Sequence, residues 1–346
     1  MNPFYTKLNE TLQQGKNVVM ATAVDCLGFL DGDREALIAQ KAFLCGDELT
    51  AETPSMKDFW RATFSSTPEE LPGLFGQDTW WTFFEPVTPR RQLILCGGGH
   101  IAQPLAQMGA MLDFDVTVIE DREEFANPQR FPQAKQVLCM PFDKALEQVP
   151  HTESTYFVII TRGHKDDRLC LERVLKQPFG YVGMIGSRKK VSVVMEELEQ
   201  QGFDKALLNK VHAPIGLSIG AQTPAEIAVC IAAQLIQTRS GTADSAFPVQ
   251  ALEKLAAGES MVMATVINKH GSSPRGVGAK MLIDQEGNLY GTIGGGAAES
   301  KVIEAAPEVR LMGYPIVMEC AMTNEDAQSD GMVCGGTIRV LLDPIN

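Results

Sequence analysis

Residues 92–122 read QLILCGGGHIAQPLAQMGAMLDFDVTVIEDR and contain the clearest structural pattern of the sequence. An apolar run at residues 93–96 has the length and branching of a strand that is buried on both faces. The run breaks at three glycines, a helical pattern follows, and a second apolar run at residues 116–119 ends in Glu120 and Asp121. Strand, glycine turn, helix, strand and acid, in this order, predict a Rossmann-type βαβ unit that binds a dinucleotide.

The small residues of this pattern each have a predicted role. Gly97 allows the tight turn, Gly99 lets the backbone approach a pyrophosphate, and Ala102 lets the helix lie close to the strand. The start of the helix presents N–H groups to an anion. Glu120, 23 residues after Gly97, is expected to accept a hydrogen bond from an adenosine ribose. The same glycines are also compatible with a tight turn that binds no nucleotide.

Composition and charge limit the function classes. The 346 residues suffice for two or three domains, and 45% of them are hydrophobic. No apolar run has membrane-spanning length and no signal segment opens the sequence, so we expect a soluble, cytoplasmic protein without a membrane partner. The net charge of -13 argues against nucleic acid as a partner. Eight cysteines without a C-x-x-C pair predict reduced, mostly buried thiols and no structural zinc site.

The predicted fold class is α/β, with a Rossmann-like doubly wound parallel sheet flanked by two small α+β domains. The first domain, residues 1–88, shows a helix at residues 4–14 and strands at residues 18–24 and 41–44. The remainder of this domain reads as loop-like and aromatic. Its role is expected to be structural, because the last domain repeats it and carries motifs that it lacks.

The middle domain, residues 89–240, continues the Rossmann pattern. Further apolar runs alternate with helical segments, as in a doubly wound parallel sheet; the strands are at residues 137–138, 156–161 and 181–186, and the helices at residues 166–175, 190–201 and 224–238. Ligands bind such sheets at the carboxyl ends of the strands. His100 and His164 follow two of these ends and are candidate ligand contacts, although loop histidines are often bystanders. Arg188 is a candidate for phosphate binding.

The last domain, residues 247–346, repeats the first. Residues 252–267 (LEKLAAGESMVMATVI) align with residues 9–24 (NETLQQGKNVVMATAV), and Gly258 falls on Gly15. The second copy then continues into the sequence HGSSPR, which the first copy lacks. We therefore predict that the first copy is structural and the second functional.

The second copy carries a candidate phosphate cradle. A hairpin at residues 280–292 leads into Gly294, Gly295 and Gly296, which open a helix with Glu299 in its first turn. Glycines at a helix start expose N–H donors to an anion, and the side chains that would complete the cradle are Ser272, Ser273 and Arg275. The alternative is a surface turn and a glycine hinge. Cys334, between glycines, is the cysteine expected to be accessible.

The motifs resemble a known family. The segments CGGGHIAQPLA, DREEFANPQRFP, YVGMIGSRKK and HAPIGLSIGAQTPAEIA are similar to the Rossmann domain of the XdhC/CoxI family. The segments GSSPRGVGAKML, GTIGGG and MVCGGTIRVLLDP are similar to its small domain. The resemblance covers residues 90–346 closely and residues 1–88 only through the repeat. It implies an accessory protein that binds molybdenum cofactor, holds it while its terminal sulfur is installed, and inserts it into a hydroxylase such as xanthine dehydrogenase.

The resemblance also implies roles for particular residues and partners. Ser272, Ser273, Arg275 and the three glycines would anchor the phosphate of molybdopterin, and Cys334 is a candidate ligand of molybdenum or of the transferred sulfur. The implied partners are a molybdenum hydroxylase apoenzyme and a cysteine desulfurase, and we expect a homodimer. Two features depart from the family pattern: the motif-bearing copy comes last, and Ala297 follows the glycines where many members have cysteine.

Two other functions stay open at this point. The glycine pattern and Glu120 are also typical of an NAD(P)-dependent oxidoreductase, for which His164 is the one candidate proton donor. A nucleotide-sensing assembly protein would use the glycine loops for structure alone. We expect a maturation factor rather than an enzyme, since no complete catalytic constellation is visible, with NAD(P) or another nucleotide as a candidate ligand of the Rossmann site.

Overall fold

The structure, a computed structural model, describes residues 1–26, 38–77, 80–239, 247–271, 275–321 and 336–346. The chain divides into two compact units: Met1–Pro89 together with Ala243–Asn346, and Arg90–Thr242. In the described residues, three five-stranded sheets make up the framework, one parallel and two antiparallel. The predicted α/β class, a Rossmann-like sheet with two small α+β domains, is confirmed.

The first small domain begins with a helix and contains one antiparallel sheet. Its elements are α1 (Pro3–Gln13), β1 (Val18–Cys26), β2 (Lys41–Cys45), β3 (Glu48–Ala51), a 3-10 turn (Pro54–Met56), α2 (Lys57–Phe64), β4 (Gly73–Gln77) and β5 (Trp80–Val87). The side chain of Asn2 caps α1 by accepting hydrogen bonds from the Phe4 and Tyr5 amides, and a proline follows at the first helical position. The strand order is β3-β2-β1-β5-β4.

The expectation that the chain after residue 44 is loop-like was wrong. This part of the first domain contains three strands and α2, and β5 pairs with β1 along nearly its whole length. The aromatic residues form the core that these elements share: Trp60 and Phe64 of α2 pack against the sheet around Phe84 of β5. Burial of aromatic surface, rather than a clear alternation of polar and apolar residues, therefore organises this segment.

The Rossmann unit follows the predicted order of elements. They are β6 (Gln92–Cys96), α3 (Ala102–Met111), β7 (Asp115–Glu120), β8 (Gln136–Cys139), α4 (Phe142–Leu146), β9 (Thr155–Ile159), α5 (His164–Leu175), β10 (Tyr181–Met184), α6 (Arg188–Gln200), α7 (Lys205–Leu208) and α8 (Pro224–Arg239). The parallel sheet has the order β10-β9-β6-β7-β8. The chain therefore leaves β6 toward one edge and later returns to its other side, which makes the ends of β6 and β9 the switch point.

Both faces of the parallel sheet are buried, as the apolar run at residues 93–96 predicts. Leu93 and Leu95 belong to a core formed with α3 and α8, whereas Ile94 and Cys96 face α4, α5 and α6. All four side chains are fully buried. Helices on both sides of one parallel sheet make this a doubly wound fold, and its crevice lies at the carboxyl ends of the central strands.

The last small domain repeats the first, element by element. It contains α9 (Val249–Ala257), β11 (Met261–His270), β12 (Lys280–Ile283), β13 (Leu289–Gly291), α10 (Gly296–Met312), β14 (Ile316–Ala321) and β15 (Thr337–Ile345). The strand order β13-β12-β11-β15-β14 matches that of the first copy. The registers match as well: Met20 pairs with Phe43 and Glu85 in the first copy, and Met263 pairs with Leu282 and Asp343 in the second. The predicted repeat is thus present in three dimensions.

Two buried ion pairs join the copies. Lys41 of the first copy pairs with Asp343 of the second, and Lys280 of the second lies 2.8 Å from the Glu85 carboxylate of the first. All four side chains are at most 8% exposed. Burial lowers the pKa of Lys280 despite the attraction of Glu85. Burial also acts to lower the pKa of Lys41, but Asp343, Tyr5 and Glu52 together outweigh it and raise that pKa.

No helix in the described ranges is long and apolar enough to cross a membrane. The longest of them, α8 and α10, carry charged residues in their first and last turns. A spanning helix needs about 20 consecutive, mostly apolar residues.

The aromatic core of the first copy provides a test of the fold. Trp60 is fully buried, whereas Trp81, in the same domain, is 41% exposed. We expect Trp60→Ala to lower the free energy of unfolding by about 3–5 kcal/mol, because it removes a large buried side chain and leaves a cavity. Trp81→Ala is the matched control and should lose less than half as much. Urea titrations followed by circular dichroism measure both, and equal losses would contradict the assigned core.

Candidate functional site

The first candidate site is the glycine loop at the switch point of the Rossmann sheet. Gly97 follows β6 directly, and its amide donates to the carbonyl of Ile119 at the end of β7. Its φ of 124° lies in the region that favours glycine, and a Cβ there would lie 2.4 Å from the carbonyl oxygen of Ile160. The tight turn predicted for Gly97 therefore requires glycine on two grounds, backbone conformation and close approach to the neighbouring strand.

The loop is open on its other side. A Cβ at Gly99 would meet no atom within 4 Å, which leaves the space that the approach of a phosphate requires. The helix α3 begins at Ala102, and no side chain caps it at Ile101. In its first turn the Ala102 amide donates to the Gly99 carbonyl at 3.2 Å and Pro104 has no N–H, so only part of the usual set of amide donors is left for an anion. The exposed His100 precedes the helix. Ala102 is fully buried against the sheet, as its predicted packing role requires.

Glu120, the predicted ribose acceptor, is engaged within the chain. Its carboxylate accepts hydrogen bonds from the Gly98 amide at 2.9 Å and from Nε and Nη2 of Arg122 at 2.9 and 3.1 Å. The residue is 2% exposed, and although burial raises the pKa of the carboxyl, the bonds from Arg122 and Gly98 lower it to about 2. Glu120 therefore closes the glycine loop onto β7; Asp121, the next residue, is exposed. Contact of either acid with a ribose stays a prediction.

Arg122 and Arg130, which no sequence motif marked as site residues, border this loop. The guanidinium groups of Arg122 and Arg130 lie 4.0 and 5.1 Å from the ring centre of Phe125, and Nη2 of Arg130 reaches the Gly98 carbonyl at 3.4 Å. The sequence contains a signal for this arrangement, because the two arginines lie on either side of Phe125 in the segment DREEFANPQRFP. Arg122 is paired with the Glu120 carboxylate, so Arg130 is the arginine that adds positive charge beside the glycine loop.

The remaining predicted residues of the Rossmann unit are exposed at helix starts. His164 and Arg188 are the first residues of α5 and α6. His164 lines a surface cavity of about 470 Å³ with residues of α5 and the end of α6, and the glycine loop is not part of that lining. Between the two helices, buried Asp167 accepts a hydrogen bond from Thr161 Oγ1 at 2.6 Å and pairs with Lys190. This pair fixes the end of β9 to the first turn of α6.

The second candidate site is the triple-glycine loop that opens α10. Gly294, Gly295 and Gly296 have φ values of 125°, 75° and 66°, so three consecutive residues adopt conformations that favour glycine. A Cβ at Gly295 or Gly296 would meet no atom within 4 Å. The loop therefore combines a fixed backbone with an open outer side, the arrangement in which amides bind an anion.

Glu299 holds this loop from the inside. One oxygen of its carboxylate accepts hydrogen bonds from the Thr292 hydroxyl at 2.6 Å and from the amides of Ile293 and Gly295 at 3.2 and 3.1 Å. A glutamate in the first turn that accepts from the amide before the helix acts as a cap. Glu299 shapes the cradle in this structure, and direct contact with a cofactor stays a prediction.

Arg275 and the glycine loop are brought together, although 18 residues separate them in the sequence. A Cβ at Gly294 would lie 3.6 Å from the Arg275 amide nitrogen and 3.7 Å from its Cβ and Cγ atoms. Arg275 is exposed, so its charge borders an open surface. Ser272, Ser273 and Cys334 lie outside the described residues. Within the described ranges, no cluster of three histidine, cysteine or acidic residues could hold a metal ion.

Two family models match the chain in the regions of these sites. A model described as the XdhC Rossmann domain matches residues 93–235, and one described as the XdhC and CoxI family matches residues 254–319. The first match contains the glycine loop with Glu120, and the second contains Arg275 and the triple glycine.

The chain is also similar to curated proteins and to a solved structure. The chain is 33% identical over 152 residues to the uncharacterized protein YqeB of Escherichia coli (strain K12), covering 44% of this chain and 28% of the relative. It is 29% identical over 161 residues to a probable xanthine dehydrogenase subunit of Bacillus subtilis (strain 168), covering 46% and 47%. The chain matches less than half of the length of either curated relative. A crystal structure of a xanthine dehydrogenase from Bacillus halodurans shares the fold, with a TM-score of 0.52 at 23% identity over 67% of this chain and 64% of that chain.

The two glycines of the Rossmann loop predict opposite results for the same substitution. Gly97→Ala forces a left-handed conformation on alanine and places its methyl group against Ile160, so we expect a loss of about 1–3 kcal/mol in the free energy of unfolding. Gly99→Ala, the matched control, should change stability by about 0.5 kcal/mol or less, because the site is open. Chemical denaturation measures both. A Gly97→Ala protein as stable as wild type would contradict the turn.

Glu120 predicts a dependence of stability on acid. Its folded pKa of about 2 lies below the ordinary value of 4.5, so its stabilising contribution is present above pH 4.5 and is lost as the pH falls toward 2. Glu120→Gln should therefore lose stability at pH 7, and the difference from wild type should shrink on acidification. Thermal unfolding between pH 7 and pH 3 tests this. Glu123→Gln, which removes an exposed charge of the same segment, is the control; a constant difference for Glu120→Gln would refute the linkage.

Proposed function

Because the chain belongs to the XdhC/CoxI family, we propose that it is an accessory protein of a xanthine dehydrogenase-type molybdenum hydroxylase. In this proposal it binds molybdenum cofactor in its last domain, supports sulfuration of the cofactor, and delivers it to the apoenzyme. The cofactor is cargo, so no turnover of its own is required.

One observation carries the proposal: Arg275 lies beside Gly294, at the open start of α10. The phosphate of molybdopterin is the part of the cofactor that such a surface recognises, because a guanidinium and backbone amides are matched donors for phosphate oxygens. The net charge of -13 gives no general attraction for anions, so a bound phosphate depends on these local donors.

Each residue of the cradle would have a distinct task. Arg275 would bind phosphate oxygens, and the first turn of α10 would supply amide donors. Glu299 would keep the loop in its shape through the amides of Ile293 and Gly295. We propose that Ser272 and Ser273 add hydroxyl donors and that the Cys334 thiol acts toward molybdenum or the incoming sulfur. The bound cofactor supplies the molybdenum at which that sulfur is installed.

The partners follow from the same chemistry. Delivery requires contact with a hydroxylase apoenzyme, and sulfuration requires a sulfur donor of the cysteine desulfurase type. A homodimer is a common arrangement for such a carrier. We place the protein in the cytoplasm, where the apoenzymes of this class would be loaded.

The Rossmann unit supports a nucleotide-binding role within this function. Its open Gly99 and uncapped α3 suit a phosphate group, and the ligand would be NAD(P) or another nucleotide. The alternative function, an NAD(P)-dependent oxidoreductase, requires a proton donor beside the nicotinamide. His164, the candidate donor, lines a cavity that does not include the glycine loop. We therefore favour the accessory role.

The test is retention of molybdenum cofactor by the purified chain under anaerobic conditions. Bound pterin is followed by fluorescence after gel filtration. We expect Arg275→Ala to weaken binding by about 10- to 100-fold, because hydrogen bonds to charged groups contribute about 1.5–3 kcal/mol. Cys334→Ala should bind the cofactor less tightly if the thiol ligates molybdenum, and should bind it as wild type does but receive less sulfur from a desulfurase if the thiol acts toward the sulfur.

Arg61→Ala is the matched control, since it removes an arginine of the first copy whose side chain is 73% exposed. It should retain the pterin as wild type does. No retention by the wild-type chain would refute the carrier function, and equal loss in Arg275→Ala and Arg61→Ala would refute the site.

A further inference from the structure

In each small domain the helix that follows the third strand, α2 or α10, covers one face of the sheet. In the first copy, Ala21, Ala42 and Phe84 pack on Trp60 and Phe64 of α2. In the second copy, the corresponding face packs on α10. The opposite face of each sheet, here called the inner face, packs in clusters that it shares with the other copy's sheet and with the helices α1 and α9. The inner faces are therefore partners for each other.

The inner faces contribute equivalent positions to one core. Strand registers match Val18 with Met261, Met20 with Met263, Phe43 with Leu282, and Val87 with Ile345, and all eight side chains belong to the same buried cluster. The equivalent helices α1 and α9 also pack in this cluster. An interface in which the same positions of both copies meet has the symmetry of a two-fold dimer.

The buried charges follow the same symmetry. Lys41 and Lys280 occupy equivalent positions, opposite Thr22 and Thr265 on the neighbouring strand. Each lysine pairs with the acid at the equivalent position of the other copy, Asp343 or Glu85. The lysine of each copy thus meets the acid of the other, and this reciprocal contact defines an isologous interface, in which both partners use the same surface. Two second copies, one from each of two chains, could pair in the same way, with Lys280 of each copy meeting Asp343 of the other.

From this reciprocity we infer that the inner face is a homotypic pairing surface, whose fitting partner is another copy of the same small domain. In this chain the first copy is the built-in partner. Tethering on one chain favours pairing within the chain over pairing between chains, because it raises the effective concentration of the partner. The task of the first copy is thus to cover the inner face of the second, although it lacks the HGSSPR and triple-glycine motifs.

The pairing also supports the motif-bearing copy near its ligand loop. A Cβ at Gly278, three residues after Arg275, would lie 3.0 Å from Cγ of Pro72 in the first copy. Val277 and Leu74 pack in a smaller cluster that both copies share. The first copy thus forms a fixed surface behind the stretch that follows Arg275.

The test replaces charges within one copy of the full-length chain. In Lys41→Met/Glu85→Leu, pairing within the chain leaves Lys280 and Asp343 buried without the ion-pair partners that they have on the first copy. Pairing between the second copies of two chains restores both ion pairs, and the apolar first copies can pair as well. We expect a species of at least twice the wild-type mass that increases with protein concentration, measured by size-exclusion chromatography with light scattering.

The control, Lys41→Met/Asp343→Leu, removes the same kinds of charge but takes away one complete ion pair. Lys280 and Glu85 still match within the chain, so this variant should keep the wild-type mass at every concentration. The reverse same-copy variant, Lys280→Met/Asp343→Leu, should assemble as the first one does. The inference is overturned if both same-copy variants keep the wild-type mass, or if both fail to fold while the control folds, since pairing between chains should have rescued them.

Discussion

The two small domains are stable only while their inner sheet faces stay packed against each other, away from water. A five-stranded sheet has two faces, and α2 or α10 covers only one. The other face contains apolar side chains together with a lysine and an acid, and each of these charges is paired with a charge on the other copy's sheet. Removing one partner from a buried ion pair is strongly destabilising, because the remaining charge loses its compensation. This explains why two copies persist at the two ends of the Rossmann segment.

The sequence predicted those parts of the fold whose signals are local. A helix, a glycine and a strand recur at Gly15 and Gly258, so the repeat was visible without structural information. The strands of the Rossmann unit are continuous apolar runs, which is typical of burial on both faces. The segment after residue 44 was misread because β4 is glycine-rich and β5 contains Pro86 and consecutive aromatic residues, which obscure the alternation of a strand. The partners of Lys41 and Lys280 were not predictable, since Asp343 lies 302 residues from Lys41.

The candidate sites show the same division. The role of Gly97 could be predicted because it depends on backbone geometry, which the strand and helix around it fix. The proximity of Arg275 to Gly294 supports the predicted cradle, although it depends on how β11 and β12 pair. The position of an acidic residue in the sequence does not determine which hydrogen-bond donors its carboxylate binds. Glu120 has the spacing of a ribose acceptor, yet its bonds go to Gly98 and Arg122, which no periodicity reveals.

The two glycine loops use one physical device. In each, a carboxylate from a neighbouring element accepts a hydrogen bond from an amide of the loop: Glu120 from Gly98, and Glu299 from Gly295. The acid neutralises the inner donors and fixes the loop, while the glycines beyond it, Gly99 and Gly296, stay open on the outer side. A loop fixed before its ligand arrives loses less conformational entropy on binding. An acidic protein can in this way hold an anion with few basic side chains, because the donors are backbone amides already in place.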